Sequence, residues 1–532
     1  MNRWKWFLVI FINFSIAAGF YITNLDAKVE DISSDLANII PICKKIDNPK
    51  LYQNDLYLDN IKDVEYYTPF FVQSLRFFAK FVEYDYLQAL NILSFCAHFI
   101  YGLSWFMLLF SLKKDYWLAL FFSVFIRGIL WPPGAELLGI SDLWTIMPRT
   151  VYSAFLPIPF LIYLKLKKYN LIVASFVLGL IFNFHPITGL GGIILYFSIF
   201  VLYNYYLLNV KILNIGKKLL IALLFCFIGM LPFIITYATK VDNVISFDQA
   251  VFNEAFLSRI PSKFNNPISY IIDWNGPIMY FFGILFIIYY FFDSSKNKFN
   301  FKILFISSIV LFFTANCSVY IENLINILFN KNIRMSFQLI RFQKLIIILF
   351  QIGLFFMLIE ILKLLSSLNK YKPYMFFGYL ILLFFSSSPL FSRIPILGDD
   401  LTTSVLPKSL SCCSNNLSNY DLSKMIDYVK TNTENDAVFY GSYLIRTGAN
   451  KSVIMDSKGA SMLIEGNPIK FINWYNDKTK FKTLSTNGKI AFLKNMNADY
   501  IIDDKSWDDL NPIKKIGNIY LYKINFDEID KN

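Results

Sequence analysis

Long apolar runs separated by short polar connections occupy most of the first 391 residues. A run of roughly 17 to 25 apolar residues is long enough to cross a bilayer as a helix. About eleven such spans are predicted, and they indicate a polytopic α-helical membrane protein. The spans cover residues 6–21, 87–112, 117–130, 151–164, 171–184, 190–208, 219–238, 278–292, 303–313, 345–362 and 374–391.

The first span has two interpretations. It follows Arg3 and Lys5 and contains Ala17, Ala18 and Gly19, small residues that fit a weak processing site of a signal peptide. Whether the span is retained or cleaved, the loop after it is predicted to lie outside.

The charges of the connections predict the orientation of the chain. Lysine and arginine are enriched in cytoplasmic loops because their translocation costs free energy. We therefore expect the lysine-rich connections and the N-terminus inside, and the other polar segments and the C-terminus outside. The inner lysines are Lys113, Lys114, Lys165, Lys167, Lys168, Lys211, Lys217, Lys218, Lys296, Lys298, Lys302, Lys363, Lys370 and Lys372. The outer segments are 24–86, 131–148, 239–277 and 318–344.

The outer loop 24–86 carries two predicted amphipathic helices. An apolar run begins after Asp35, and residues 66–84 alternate aromatic and basic positions at helical spacing. The second pattern is typical of a helix that lies along the membrane surface.

The composition changes from Arg393 onward, where an α/β domain is predicted. Strands that alternate with helices are typical of such a domain. The chain is therefore divided into a transmembrane domain, 1–392, and an extracytoplasmic α/β domain, 393–532. Short strands are expected at 437–440, 453–455, 500–502 and 519–523, with helices at 421–430 and 489–496.

The composition supports a membrane protein and excludes other classes. Hydrophobic residues make up 56% of the 532 residues, and the mean hydropathy is +0.47, which is too apolar for a soluble protein of several domains. The net charge of +12 does not indicate nucleic-acid binding, since the lysines stand between apolar runs. Six cysteines without metal-like spacing and only two histidines exclude the usual zinc and haem sites. Cys412 and Cys413 are expected to be free thiols, with a disulfide to Cys43 as the alternative.

The candidate chemistry lies in polar residues at the predicted outer ends of the spans. The chain has no Gly-x-Gly-x-x-Gly, P-loop, Gly-x-Ser-x-Gly or His-Glu-x-x-His motif, which removes the usual nucleotide-binding, hydrolase and metalloprotease classes. The candidate catalytic residues are Asp35 and Asp55, and the candidate substrate-binding residues are Arg127, Arg149, His185 and Arg341. Each also has a structural interpretation: solvated loop carboxylates, arginines that snorkel to the interface, and a hydrogen-bonded histidine in a helix-breaking turn.

The arrangement resembles the GT-C superfamily of membrane glycosyltransferases, and more narrowly a poorly characterised bacterial group related to it. The resemblance covers most of the chain and rests on the acidic loop after the first span, the spans and their orientation, and the outer α/β domain. The local segments that carry it are IDNPKLYQND, FNFHPITGL, LIRFQK, DLSKMIDYVKTNTENDAVFYGS and SVIMDSKG. The paired acidic residues that the superfamily has after its first span are absent unless Glu30–Asp31 takes their place.

The resemblance implies an enzyme of the bacterial inner (plasma) membrane. It would transfer a hexosyl or pentosyl group from a polyprenyl-phosphate donor to an acceptor on the extracytoplasmic face. A carboxylate, Asp35 first and Asp55 second, would deprotonate the acceptor hydroxyl, while arginines, Arg341 above all, would hold the lipid phosphate.

The implied partners are a lipid-linked sugar donor and membrane lipids, with no nucleic acid. No cofactor is expected, and a divalent metal stays an open alternative. The competing functional class is a transporter, flippase or assembly factor for lipid-linked surface glycans that has no transferase activity.

Overall fold

A computed structural model of the protein describes residues 2–128, 138–140, 143–238, 247–260, 262–274, 283–284, 286–288, 291, 298–329, 334–385 and 420–524. Across these residues the protein is mostly helical, with a five-stranded sheet towards the C-terminal end. The chain divides into two compact units, each built from three separate segments. The apolar unit comprises Met1–Leu25, Asn91–Phe233 and Ser262–Asn415, and the polar unit comprises Asp26–Leu90, Ile234–Pro261 and Asn416–Asn532.

The apolar unit is built from helices of very different lengths. Those that belong to it wholly or largely are Arg3–Thr23, Tyr86–Lys113, Tyr116–Gly128, Pro148–Phe155, Pro157–Lys165, Asn170–Phe182, Pro186–Tyr206, Ile212–Ala238, Pro267–Trp274, Lys298–Phe329, Ser336–Leu339, Ile346–Leu364 and Lys372–Phe385.

Within the described part of the chain, six helical segments are long and apolar enough to cross a membrane. They are Arg3–Thr23, Tyr86–Lys113, Pro186–Tyr206, Ile212–Ala238, Asn300–Phe329 and Ser336–Leu364. Tyr116–Arg127 and Asn170–Phe182 are shorter apolar helices. The helices are thus compatible with an integral membrane protein, while about eleven spans remain a prediction from hydropathy.

Two predicted segments differ from the structure. The span predicted at 151–164 is two helices, Pro148–Phe155 and Pro157–Lys165, each of which begins with a proline. Proline fits the first helical position but interrupts the helix that precedes it. The prediction of a loop at 318–344 was wrong for its first part, because the helix Lys298–Phe329 continues through apolar residues at helical spacing.

Other predictions concern residues outside the described part of the chain. These are most of the span 278–292, half of the loop 131–148, and Cys412 and Cys413. Cys43 is described, and it is a buried free thiol.

Close packing of two helices in the apolar unit depends on glycine. A Cβ atom at Gly179 would overlap the carbonyl oxygen of Cys226, and one at Gly229 would overlap that of Phe176. Small residues allow helix backbones to approach in this way. The side chain of Asn183 adds a polar link, since its Nδ2 donates to the Gly229 carbonyl at 2.9 Å.

The polar unit combines helices with one twisted sheet. The helices are Leu36–Asp47, Pro69–Ala79, Gln249–Arg259, Asp421–Asn432, Leu444–Ala449, Ser457–Gly466, Pro468–Thr483 and Thr486–Asn495. The strands are β1 (Val438–Tyr440), β2 (Ser452–Ile454), β3 (Tyr500–Asp503), β4 (Lys514–Ile516) and β5 (Ile519–Lys523). The prediction of an α/β sheet region near the C-terminus is confirmed.

The sheet has the strand order β2-β1-β3-β5-β4. β1 lies between β2 and β3 and is parallel to both, whereas β5 is antiparallel to β3 and to β4. One face of the sheet packs on a core that includes Leu493, Ile501, Trp507 and Tyr522. The carboxyl ends of the three parallel strands therefore meet at one edge of the sheet.

The predicted loop 24–86 lies almost wholly in the polar unit, together with the C-terminal segment. Hydrogen bonds join the two stretches: Thr447 Oγ1 donates to the Ala37 carbonyl at 3.0 Å, and Tyr52 OH donates to the Arg446 carbonyl at 2.8 Å. The helix Leu36–Asp47 is the amphipathic helix expected after Asp35, and it buries its apolar face in the same unit.

Candidate functional site

The polar unit buries an arginine between two carboxylates. The side chain of Arg446 has no exposed surface. Its Nε donates to Asp55 Oδ2 at 2.6 Å, and its Nη1 donates to Asp456 Oδ2. Its Nη2 donates to the Val453 carbonyl at 2.7 Å, and the guanidinium lies 4.7 Å from the centre of the Tyr57 ring. Burial would lower the pKa of Arg446, but the two carboxylates outweigh burial and raise that pKa above its usual value.

Asp55, the second catalytic candidate, is held by this cluster. Its Oδ2 also accepts from the Val453 N–H at 2.7 Å, and its Oδ1 accepts from the Tyr57 N–H at 3.2 Å. Burial raises the pKa of Asp55, while Arg446 and the two N–H groups oppose that rise. A general base must reach the hydroxyl that it deprotonates. Because both oxygens of Asp55 are occupied inside the unit, the geometry favours a structural role for this residue.

Asp456 links the cluster to the sheet. It follows β2 and caps the helix Ser457–Gly466, where its Oδ1 accepts from the N–H groups of Lys458 at 2.7 Å and Gly459 at 2.6 Å. Aspartate suits this position because it satisfies free N–H groups and complements the positive end of the helix dipole. Asp456 thus fixes Arg446 to the start of this helix.

Asp35, the first catalytic candidate, has a different environment. It stands just before the helix Leu36–Asp47, as the sequence predicted, and its Oδ1 lies 2.7 Å from Lys458 Nζ. The side chains of Asp35 and Lys458 are each 24% exposed. Asp35 is therefore the more accessible of the two candidate carboxylates.

The acidic pair after the first span is engaged in the same unit. Glu30 Oε2 accepts from the Ser423 N–H at 2.9 Å and from the Ser423 hydroxyl at 2.7 Å. Asp31 Oδ1 accepts from the Tyr420 hydroxyl at 3.1 Å. These bonds link the start of the loop 24–86 to the C-terminal segment.

The four substrate-binding candidates lie in the apolar unit. Of these, Arg127 is buried, with 1% of its surface exposed. Its Nη2 donates to Asn13 Oδ1 at 2.5 Å, whereas its Nε and Nη1 have no hydrogen-bond partner among the described residues. Gly102 makes room for this pair, because a Cβ atom there would overlap both side chains. No carboxylate in the described part of the chain pairs with Arg127.

The position of Arg127 along its helix places it away from the lysine-rich end. The helix Tyr116–Gly128 begins beside the first helix, where Tyr116 OH donates to the Lys5 carbonyl at 3.0 Å. Arg127 is eleven residues further along, or roughly 16 Å at the helical rise of about 1.5 Å per residue. A hydrocarbon core is about 30 Å thick, so the described helix Tyr116–Gly128 is shorter than a full span.

His185 begins a helix. It is the N-cap of Pro186–Tyr206, and its Nδ1 accepts from the Thr188 N–H at 3.1 Å. The imidazole therefore caps the helix, which agrees with the structural alternative for His185, a hydrogen-bonded histidine in a helix-breaking turn.

Arg149 and Arg341 have local contacts. Arg149 is buried near the start of the helix Pro148–Phe155, and its Nη2 donates to Met147 Sδ at 2.9 Å. Arg341 is half-buried, and its Nη1 donates to Gln338 Oε1 at 2.8 Å.

Sequence reasoning missed Arg446, Asp456 and Asn13. Asp456 was noted only within a segment quoted for a resemblance, and Arg446 was not noted. An arginine next to Leu444 and Ile445 is nevertheless a charge placed among apolar positions, which calls for a buried partner. Asn13 was also visible as the amide inside an otherwise apolar span.

Comparison with known proteins does not assign the chain to a family. No family model matches the chain, and no curated protein matches it. Over the described residues, no group of three or more histidine, cysteine, aspartate or glutamate side chains is placed to hold a metal ion.

Proposed function

We propose that this protein is an integral membrane glycosyltransferase that moves a sugar from a polyprenyl-phosphate donor to an acceptor on the extracytoplasmic face. The observation that carries the proposal is Arg127, a buried cation within the apolar unit that has only the neutral Asn13 as a hydrogen-bond partner among the described residues.

An ionisable group among apolar helices is costly and is a marker of function. A central arginine costs about 2.5–3.5 kcal/mol on insertion scales. Arg127 is buried, with 1% of its surface exposed, so its guanidinium does not relieve this cost by snorkelling to water. Its two unused donor groups suit a phosphate, which accepts several hydrogen bonds from a planar guanidinium. A phosphate carried by a membrane lipid would therefore supply the missing counter-charge.

The catalytic carboxylate of the proposal is Asp35. The base must keep an accessible carboxylate, and Asp35 is partly exposed whereas Asp55 is enclosed. Its Oδ1 is held 2.7 Å from Lys458 Nζ, which fixes the position of the carboxylate.

The test is a transfer assay on the purified full-length protein in nanodiscs. Polyprenyl-phosphate hexoses and pentoses with a radiolabelled sugar are supplied as donors, and the membrane and surface-glycan fraction of the source cells is supplied as acceptor. Release of the label from the lipid into the acceptor fraction is expected. Asp35→Asn should lower transfer by about 10²-fold or more while donor binding persists.

Arg127→Gln should weaken donor binding as well as transfer, and Arg3→Gln is the matched control, because Arg3 is an exposed arginine of the same unit. If the protein binds the donor or moves it across the membrane but transfers no sugar, the protein is a transporter or flippase and not an enzyme. Unchanged donor binding in Arg127→Gln would remove the observation on which the proposal rests.

A further inference from the structure

We infer that the cleft at the carboxyl ends of β1, β2 and β3 binds a neutral saccharide. β1 is central, and the chain leaves it first towards β2 on one side and later towards β3 on the other. In open α/β sheets, ligands bind at the point where the strand order reverses in this way. The cleft has a volume of about 670 Å³, within the range of about 300–1,000 Å³ that is usual for small-molecule sites.

The shape of the cleft depends on Gly441. This residue directly follows β1 and has a φ of +153°, a conformation that side-chain-bearing residues rarely adopt. A Cβ atom there would lie 2.6 Å from the carbonyl oxygen of Ile502 in β3. Glycine therefore lets the chain turn closely over the end of β3, which leaves the space above the sheet edge open.

The cations that line the cleft are already used inside the polar unit. Arg259 Nε donates to the Ser457 carbonyl at 2.6 Å, and its Nη2 donates to Ser461 Oγ at 3.2 Å. Lys458 forms the ion pair with Asp35. The three carboxylates that line the cleft, Asp456, Asp503 and Asp504, outnumber these two cations, so the cleft is not built as an anion site.

One carboxylate at the end of β3, that of Asp504, is available to a ligand. Asp504 lines the cleft, is exposed, and has no hydrogen-bond or ion-pair partner among the described residues. Asp503 also lines the cleft, but its Oδ2 accepts from Trp507 Nε1 at 2.9 Å and its Oδ1 accepts from the Lys505 N–H at 3.2 Å. An ionised carboxylate only accepts hydrogen bonds, so the complementary ligand is rich in hydroxyl donors and carries no negative charge.

Aromatic and hydroxyl groups complete the lining. Tyr440 and Tyr443 contribute rings, and Ser442 contributes a hydroxyl. A pocket with apolar rings and a few converging polar groups fits a ligand that has both apolar C–H faces and hydroxyl groups. These are the features of a sugar ring. The inference goes beyond the proposed transfer reaction, and it holds even if the protein only binds its glycan.

The test measures equilibrium binding to the full-length protein in nanodiscs without any lipid-linked donor. The probes are fluorescently labelled neutral oligosaccharides built from hexoses, N-acetylhexosamines and deoxyhexoses, with UDP and inorganic phosphate as anionic competitors. Saturable binding of at least one neutral oligosaccharide is expected, without competition by phosphate. Asp504→Asn should weaken it by about tenfold or more, as expected for loss of a hydrogen bond to a charged group.

Asp508→Asn is the matched control, since Asp508 is an exposed carboxylate on the same segment that does not line the cleft. Ser442→Trp, which fills the cleft, should abolish binding, and the melting temperature of each variant checks that the unit is folded. The inference is overturned if no neutral oligosaccharide binds, if phosphate displaces the probe, or if Asp504→Asn and Asp508→Asn bind equally well. Because no donor is present, these outcomes are independent of whether sugar transfer is observed.

Discussion

Replacing Arg446 by methionine tests whether the buried charge cluster holds the polar unit together. Arg446→Met keeps an unbranched apolar stem but leaves Asp55 and Asp456 buried without their counter-ion. Removing one partner of a buried pair costs about 3–5 kcal/mol, because the remaining charge is uncompensated. For a unit of about 200 residues, at roughly 2–4 °C per kcal/mol, the melting temperature should fall by roughly 6–20 °C.

The same substitution should make stability depend on pH. Burial already raises the pKa of Asp55, and loss of Arg446 removes the largest opposing influence. A carboxyl whose pKa is higher in the folded than in the unfolded chain, where it is about 3.9, binds more protons when folded. Stability then decreases as pH rises above that value. Arg446→Met should therefore be less destabilised at pH 5 than at pH 8, and adding Asp55→Asn should recover part of the loss at pH 8.

The assay is proteolysis during a temperature ramp on the full-length protein in nanodiscs, with peptides from residues 420–524 followed by mass spectrometry. Arg76→Met is the matched control, because Arg76 pairs with Asp47 at 2.5 Å but both side chains keep some exposure, 22% and 16%. Breaking this partly exposed pair should cost less, because water reaches the charge that is left. The reasoning is refuted if Arg446→Met shifts the melting temperature no more than Arg76→Met does, or if its effect is the same at pH 5 and pH 8.

Three further outcomes are expected. Burial, with a smaller contribution from Lys430, lowers the pKa of Lys44 to about 8. Between about pH 8 and pH 10.5 the folded chain therefore binds fewer protons than the unfolded chain, and its stability should rise with pH. Lys44→Met should abolish that rise in a series of melting experiments at different pH. Gly179→Leu should disrupt the close helix contact and lower the melting temperature of the apolar unit, whereas Gly216→Leu, where a Cβ atom meets nothing within 4 Å, should not. Ser506 is exposed and can be changed to cysteine in a variant whose native cysteines are replaced by serine. This cysteine should react with a membrane-impermeant thiol reagent on intact cells. Labelling only after lysis would contradict the predicted outer C-terminus.

The periodicity of the sequence predicted where helices and strands form better than it predicted which of them pack together. The α/β character near the C-terminus followed from short β-branched and aromatic runs such as the one that forms β5, Ile519–Lys523. The helix Leu36–Asp47 followed from its apolar spacing. Local patterns of this kind depend on neighbouring residues, which the sequence displays directly.

The site residues could not be assigned in the same way, because their partners are distant in sequence. Asp55 and Arg446 are separated by 391 positions, and no local pattern relates them. An acidic residue in a polar loop is usually solvated, so its burial becomes visible only once the loop is packed against the C-terminal segment. The prediction of one helix at 151–164 was wrong for a local reason, because hydropathy alone ignores the backbone effect of Pro157.

The contrast between Asp35 and Asp55 separates stability from function. Both carboxylates lie in the same loop and both pair with a cation, but the Asp55 side chain has no exposed surface whereas that of Asp35 is 24% exposed. An enclosed pair contributes to folding, and its loss affects every activity of the unit through unfolding. The partly exposed pair of Asp35 contributes little to stability, since water screens it. A large loss of transfer in Asp35→Asn at unchanged melting temperature would therefore report chemistry, whereas the same loss in Asp55→Asn would first have to be distinguished from loss of the fold.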